Sequence, residues 1–205
     1  TGSLLGVNGY KSTKDQQEED QASIPVGFEE IIDMYPMDFE EWLWANGVQP
    51  KHFKYLHECF EKEVPVNAAV HQRMRDLLLK YIIVGGMPEV VSTYLSTNDM
   101  NQAISVQRDI VEAYKSDMIK YAPKADKTRI RECFESIPSQ LAKENKKFSF
   151  SDIRPGAKSS QYKGSLQWIE DAGIIRRCYN LNITELPLDG NAIYNCFKVY
   201  MADIG

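Results

Sequence analysis

No stretch of this sequence approaches 18 consecutive apolar residues, so nothing in it reads as a membrane span. No basic n-region precedes an apolar run, so no secretory signal is expected. The four cysteines, Cys59, Cys133, Cys178 and Cys196, form no C-x-x-C knuckle and read as reduced thiols of a cytoplasmic protein. Of three histidines, His52 and His57 stand five apart and His71 is isolated, so no H-E-x-x-H zinc pattern exists. Glu58, Glu61 and Glu63 beside them read as a wet helix face. Cys59 lies two residues from His57, and such positions do not share a helix face, so no thiol–imidazole nucleophile is expected. A phosphate loop is missing too. GVNGYKST at 6–13 imitates one, but Tyr10 separates Gly9 from Lys11, whereas the loop needs glycine directly before lysine. No metal, no resident cofactor, no small-molecule substrate and no catalytic constellation is expected from these residues.

What is present is an ordinary folded composition: 205 residues, 43% hydrophobic and 26% charged, enough for one large domain or two small ones. The net charge of −5 conceals a gradient. Residues 1–63 carry 13 acidic and 5 basic side chains, while 115–163 carry 12 basic and 6 acidic. The basic centre reads either as a solvated helix surface or as a footprint for nucleic acid.

Residues 8–23 are polar and aperiodic and read as a loop, and Ile24 to Met34 as a short strand. Asp38 and Glu41 form a D-x-x-E capping box opening a helix that ends at Gly47, and Pro50 opens another. Val70, Met74, Leu77, Leu78, Tyr81 and Ile82 recur at helical spacing up to Gly85-Gly86. Pro88 then restarts a helix, and Asp99 caps a longer one running to Met118. Gly85 and Gly86 serve as a helix stop and are also a candidate hinge. This middle is all helical, with short connections that favour antiparallel packing.

After Pro123 the pattern changes. Ile130 to Leu141 reads as a helix bent or broken near Pro138, and Phe148 to Ile153 as a short piece. A third helix, capped by Ser159 or Ser160, carries Tyr162, Leu166 and Ile169 to Gly173. Strands at 174–181 and 193–201 follow, joined by a turn-rich loop. That order is a winged helix-turn-helix with a small β-hairpin wing. The expected fold is therefore mainly α, a helical lid-like bundle followed by this module. The third helix would be the recognition helix for DNA, with Arg154, Lys158, Lys163, Arg176 and Arg177 as phosphate contacts. Against it stand Glu170 and Asp171 on the same helix, so a protein-contact role stays open beside the DNA-binding one.

The stretches TGS (1–3), SIPVG (23–27), MYPMDFEEWLWANG (34–47), VGGMPEVV (84–91), Tyr114-Lys-Ser-Asp117 and FKVYMADIG (197–205) together resemble, in order, the C-terminal part of the bacterial and archaeal AAA-type ATPases that carry a nuclease-like C-terminal domain of unknown function. The resemblance implies a remnant of the ATPase core over 1–47, a helical lid or connector over 48–123, and a winged helix over 124–205. It implies that Thr1 and Ser3 belong to a nucleotide-sensor region. ATP and magnesium are expected only of a longer parent, because this chain has no Walker A lysine or Walker B aspartate. Phe28 also stands where the family carries a basic residue. The expected partners are the parent's other domains and DNA. A start at TGS and a stop at ADIG read as a chain cut at both ends, with the nuclease-like domain beyond it. The alternative is a free-standing winged-helix DNA-binding or regulatory protein.

Overall fold

The computed structural model describes residues 34–205. Thr1, Ser3, the 6–13 loop, the 8–23 loop and all but the last residue of the 24–34 strand lie outside the described residues. What is described is mostly helix, closed by one two-stranded antiparallel sheet. None of these helices is long and apolar enough to cross a membrane. The described residues divide into two compact units, Met34–Glu112 with Asp203–Gly205, and Ala113–Ala202. The first carries 7 basic and 12 acidic side chains, the second 15 basic and 10 acidic. They are called the acidic and the basic unit below.

In the acidic unit, helix α1 (Phe39–Ala45) starts at the capping box. Asp38 Oδ1 accepts from the Glu41 N–H at 2.8 Å and Glu41 Oε2 from the Asp38 N–H at 3.1 Å, satisfying two donors that a helix start leaves open. Helix α2 (Pro50–Glu61) has proline in its first turn. Helix α3 (Ala68–Val84) is capped by Asn67, whose side chain accepts from the Ala69 N–H. Helix α4 (Pro88–Thr97) again opens on proline, and it ends at Asn98 in the left-handed region, which asparagine tolerates. Helix α5 (Met100–Tyr121) follows Asp99, whose Oδ1 accepts from the Asn101 N–H at 2.8 Å. The core is Trp42, Leu43, Leu77, Val84, Val90, Val91, Tyr94 and Ala103. Trp42 is wholly buried against Phe39, Tyr81 and Tyr94, and its indole N–H has no partner.

The last turns of α5 open the basic unit. Helix α6 (Lys127–Leu141) runs through Pro138 without breaking. Proline withdraws one donor there, while hydroxyls satisfy carbonyls nearby: Ser136 donates to the Cys133 carbonyl and Ser139 to that of Ser136, both at 2.8 Å. A 3-10 turn (Phe150–Asp152) leads to helix α7 (Ser159–Asp171). The sequence pointed to Ser159 or Ser160 as its cap, but Lys158 holds that position. Lysine has no acceptor, so only the reverse half of a capping box forms, from the Lys158 N–H to Gln161 Oε1 at 3.4 Å. Strands β1 (Ile175–Leu181) and β2 (Ala192–Met201) pair antiparallel, with Ile175 opposite Met201 and an irregularity at Tyr179/Asn180. The Phe148 N–H also donates to the Phe197 carbonyl at 2.9 Å. Ile130, Cys133, Ile137, Tyr162, Leu166, Ile169, Ile175 and Val199 form the core between α6, α7 and the hairpin.

Candidate functional site

Two clusters carry most of the unusual geometry, one in each unit. The first is the face of α7. Its exposed residues are Ser159, Ser160, Gln161, Lys163, Gly164, Gln167 and, in the last turn, Asp171, preceded by exposed Lys158. Tyr162, Leu166 and Ile169 turn into the core on the opposite side, as the 3.6-residue period requires. The acids that spoil this helix as an anion reader are engaged. Glu170 accepts from the Arg177 backbone N–H at 3.0 Å and from its Nε at 2.6 Å, and Arg177 Nη2 reaches both Glu170 and Gln167. Gln167 Nε2 donates to Asp171 at 2.7 Å.

The five cations singled out from the sequence therefore part company. Lys158 and Lys163 stand on the exposed side of α7. Arg154 is half-exposed, lies over the Tyr162 ring and pairs with Glu132 at 3.5 Å. Glu132 also accepts from the Tyr162 hydroxyl at 2.5 Å, and burial together with that carboxylate raises the Tyr162 pKa, which keeps it a donor. Arg176 is on the exposed face of β1. Arg177 is 8% exposed and committed to Glu170, so its charge is spent inside the unit. Gly164 has nothing within reach of an added Cβ.

The second cluster is the glycine corner of the acidic unit. Gly85 ends α3 with φ +72° and ψ −170°, a conformation almost confined to glycine. Space is equally decisive. A Cβ on Gly86 would stand 2.0 Å from the Met37 carbonyl oxygen. The approach is fixed by polar bonds: Met37 N–H to the Gly86 carbonyl at 2.8 Å, Gly86 N–H to Asp203 Oδ1 at 2.7 Å, and the Tyr81 hydroxyl to the Met37 carbonyl at 2.9 Å. Gln107 Nε2 donates to the carbonyls of Ile83 and Val84 at 2.8 and 3.0 Å. Burial first, then the Asp203, Asp38 and Glu41 carboxylates, raise the Tyr81 pKa and keep it a donor. Gly85 and Gly86, the candidate hinge, are thus a packed junction of three chain segments.

Little here resembles a reaction centre. A shallow groove of about 440 Å³ is lined by Met37, Ala45, Pro88, Val91, Ser92, Leu95 and Ser96, with no charged group among them. Burial and the Glu132 charge push the Cys133 thiol up to about 12, far from a thiolate at neutral pH. Among the described residues no three His, Cys, Asp or Glu side chains are grouped to hold a metal ion.

Sequence reasoning missed the Glu170–Arg177 pair and the part played by Met37 and Asp203. A spacing of seven across a helix end and a turn has no periodic signature. Met37 and Asp203 lay inside stretches quoted only as family markers.

No curated protein and no solved structure matches this chain. Residues 75–205, which include the second half of α3, the glycine corner, the whole basic unit and Asp203, match a family model described as Domain of unknown function (DUF8612), and since that is more than half of its length the chain belongs to this family.

Proposed function

We propose that the basic unit is a winged-helix contact module that binds the backbone of duplex nucleic acid through α7. The observation that carries this reading is the neutralisation of Glu170 by Arg177. It engages the carboxylate near the C-terminal end of the helix, while the N-terminal part, with exposed Lys158, Ser159, Ser160, Gln161 and Lys163, has no carboxylate of its own. A helix N-terminus adds its own positive potential to that face. Residues 113–202 carry a surplus of five positive charges, which the acids of residues 1–33 and of the acidic unit offset within the chain, so binding is modest and steeply salt-dependent. Anisotropy of labelled duplex DNA, titrated across salt, tests it. Micromolar binding is expected at low salt, and Lys158→Ala with Lys163→Ala weakens it about tenfold and flattens the salt slope by about two, one per lost phosphate contact. No binding at low salt, or an unchanged slope, overturns the reading.

A second reading sets this module beside a helical lid in an AAA-type ATPase whose nucleotide-binding core is supplied by other sequence. The observation favouring it is spatial: stretches 34–47, 84–91 and 197–205, which carry the resemblance, each send residues into the junction at Gly85–Gly86. The 205-residue chain alone is then expected to turn over no ATP, and the native protein to do so with magnesium. Turnover by the chain alone, or none by the native protein, removes this reading without touching the DNA test.

A further inference from the structure

Two exposed apolar surfaces of this chain carry opposite charge. The first is the hairpin tip, residues 182–191. Leu186 is 86% exposed, Ile183 and Leu188 are about half exposed, and the tip holds Glu185 and Asp189 but no lysine or arginine. It is held in shape rather than left loose. Asn191 Nδ2 donates to the Glu185 and Pro187 carbonyls at 2.9 and 3.4 Å, and the Asn182 N–H donates to the Asn191 carbonyl at 2.9 Å. A pre-ordered loop loses little freedom on binding. Two carboxylates and no cation make this tip a poor neighbour for phosphates and a good one for a basic apolar protein surface.

The second surface is the outer side of α3. At 100° per residue, Arg75, Leu78, Leu79, Ile82 and Ile83 fall opposite Leu77, Tyr81 and Val84, which face the core of the acidic unit. The four aliphatic side chains are 40–51% exposed, where a surface helix ordinarily carries polar residues; exposed Arg75 stands at the centre of their arc, while exposed Asp76 at its edge accepts from Gln72 Nε2 at 2.9 Å. An acidic apolar knob and a basic apolar face on the same chain are complements, and a second copy always supplies the missing half.

We infer that the hairpin tip of one copy docks Leu186 onto the α3 face of another, with Glu185 and Asp189 directed to Arg75. The contact is heterologous, so it closes as a reciprocal dimer or a ring, or runs on as a chain. It is independent of the nucleic-acid reading, which uses α7.

Sedimentation velocity of the full 205-residue chain tests it, over about 1 to 200 µM, the range of weak specific contacts. Reversible association is expected, and Leu186→Glu or Ile82→Glu, both at exposed positions, weakens it at least about tenfold with an unchanged circular dichroism spectrum. An equimolar mixture of these two variants is expected to form a 1:1 complex and nothing larger, because one intact tip and one intact face remain. Arg75→Glu is expected to weaken association, and adding Glu185→Lys and Asp189→Lys to the same chain to restore it. A monomer at every concentration, association indifferent to both variants, or a mixture that stays monomeric overturns the proposal. So does loss of DNA binding in Leu186→Glu, which would assign the tip to nucleic acid.

Discussion

Replacing Gly86 by alanine is expected to cost the acidic unit about 3–5 kcal/mol and to lower its melting temperature by more than about 10 °C. The added Cβ would stand 2.0 Å from the Met37 carbonyl oxygen, 2.7 Å from its nitrogen and 2.9 Å from its carbonyl carbon. All three are backbone atoms, so no side-chain rotation relieves the overlap. The segment carrying Met37 must retreat by more than an ångström. That retreat breaks the Met37–Gly86 bond and the bond from Tyr81, leaving polar groups unpaired in a partly buried corner.

Gly85→Ala is expected to fail for a different reason. Its φ of +72° with ψ of −170° is strained for any side chain, at about 1–3 kcal/mol, and its Cβ would also meet the Asp203 carboxylate at 2.3 Å. Gly164→Ala is the control. It adds a methyl into open space within α7 and is expected to stabilise the basic unit by about 0.5–1 kcal/mol. Tryptophan fluorescence separates the units during a melt, since Trp42 and Trp44 report on the acidic one and Trp168 on the basic one. A Gly86→Ala chain whose Trp42 and Trp44 signal melts within 2 °C of the parent would refute the account of this corner.

The corner also marks the boundary between what the sequence discloses and what it withholds. Most local devices are legible. The Asp38–Glu41 box, proline at the head of α2 and α4, and two strands joined by a turn-rich loop each depend on residues a few positions apart, and each is present. The mainly helical fold with a closing hairpin follows from them. Gly85-Gly86 read as a helix stop and a hinge because those too are local uses of glycine. The need for two glycines comes from Met37 and from Asp203, which is 117 residues away, and no periodicity records an approach of that kind.

The cap of α7 failed for the converse reason. Serine is the better acceptor, yet the backbone turns into helix at Ser159, one residue before side-chain preference would place the second serine as cap. The candidate interface was legible only as composition. A list of five cations cannot tell Lys163, exposed on a helix, from Arg177, whose guanidinium is folded back on Glu170.

That difference leads to a second large effect. Glu170→Ala is expected to destabilise the basic unit by about 2–4 kcal/mol in urea unfolding followed through Trp168. Its loss leaves the Arg177 guanidinium, 8% exposed, without the carboxylate that answers its charge, and strips the acceptor from the Arg177 backbone N–H. Arg177→Met is expected to cost less, about 1–2 kcal/mol, because Glu170 is 25% exposed and can turn to water. Replacing both by apolar residues, Glu170→Leu with Arg177→Met, is expected to come within about 1 kcal/mol of the parent, since removing a buried pair costs far less than halving it. Near-additive losses in that cycle would mean the two side chains act separately and the pairing has been misjudged. The same variants bear on recognition. If Arg177 held a phosphate, Arg177→Met would flatten the salt dependence of DNA binding by about one, as each α7 lysine should. Because its charge is spent on Glu170, the slope is expected to stay as it is, and in the proposed reading Arg177 contributes only by holding Glu170.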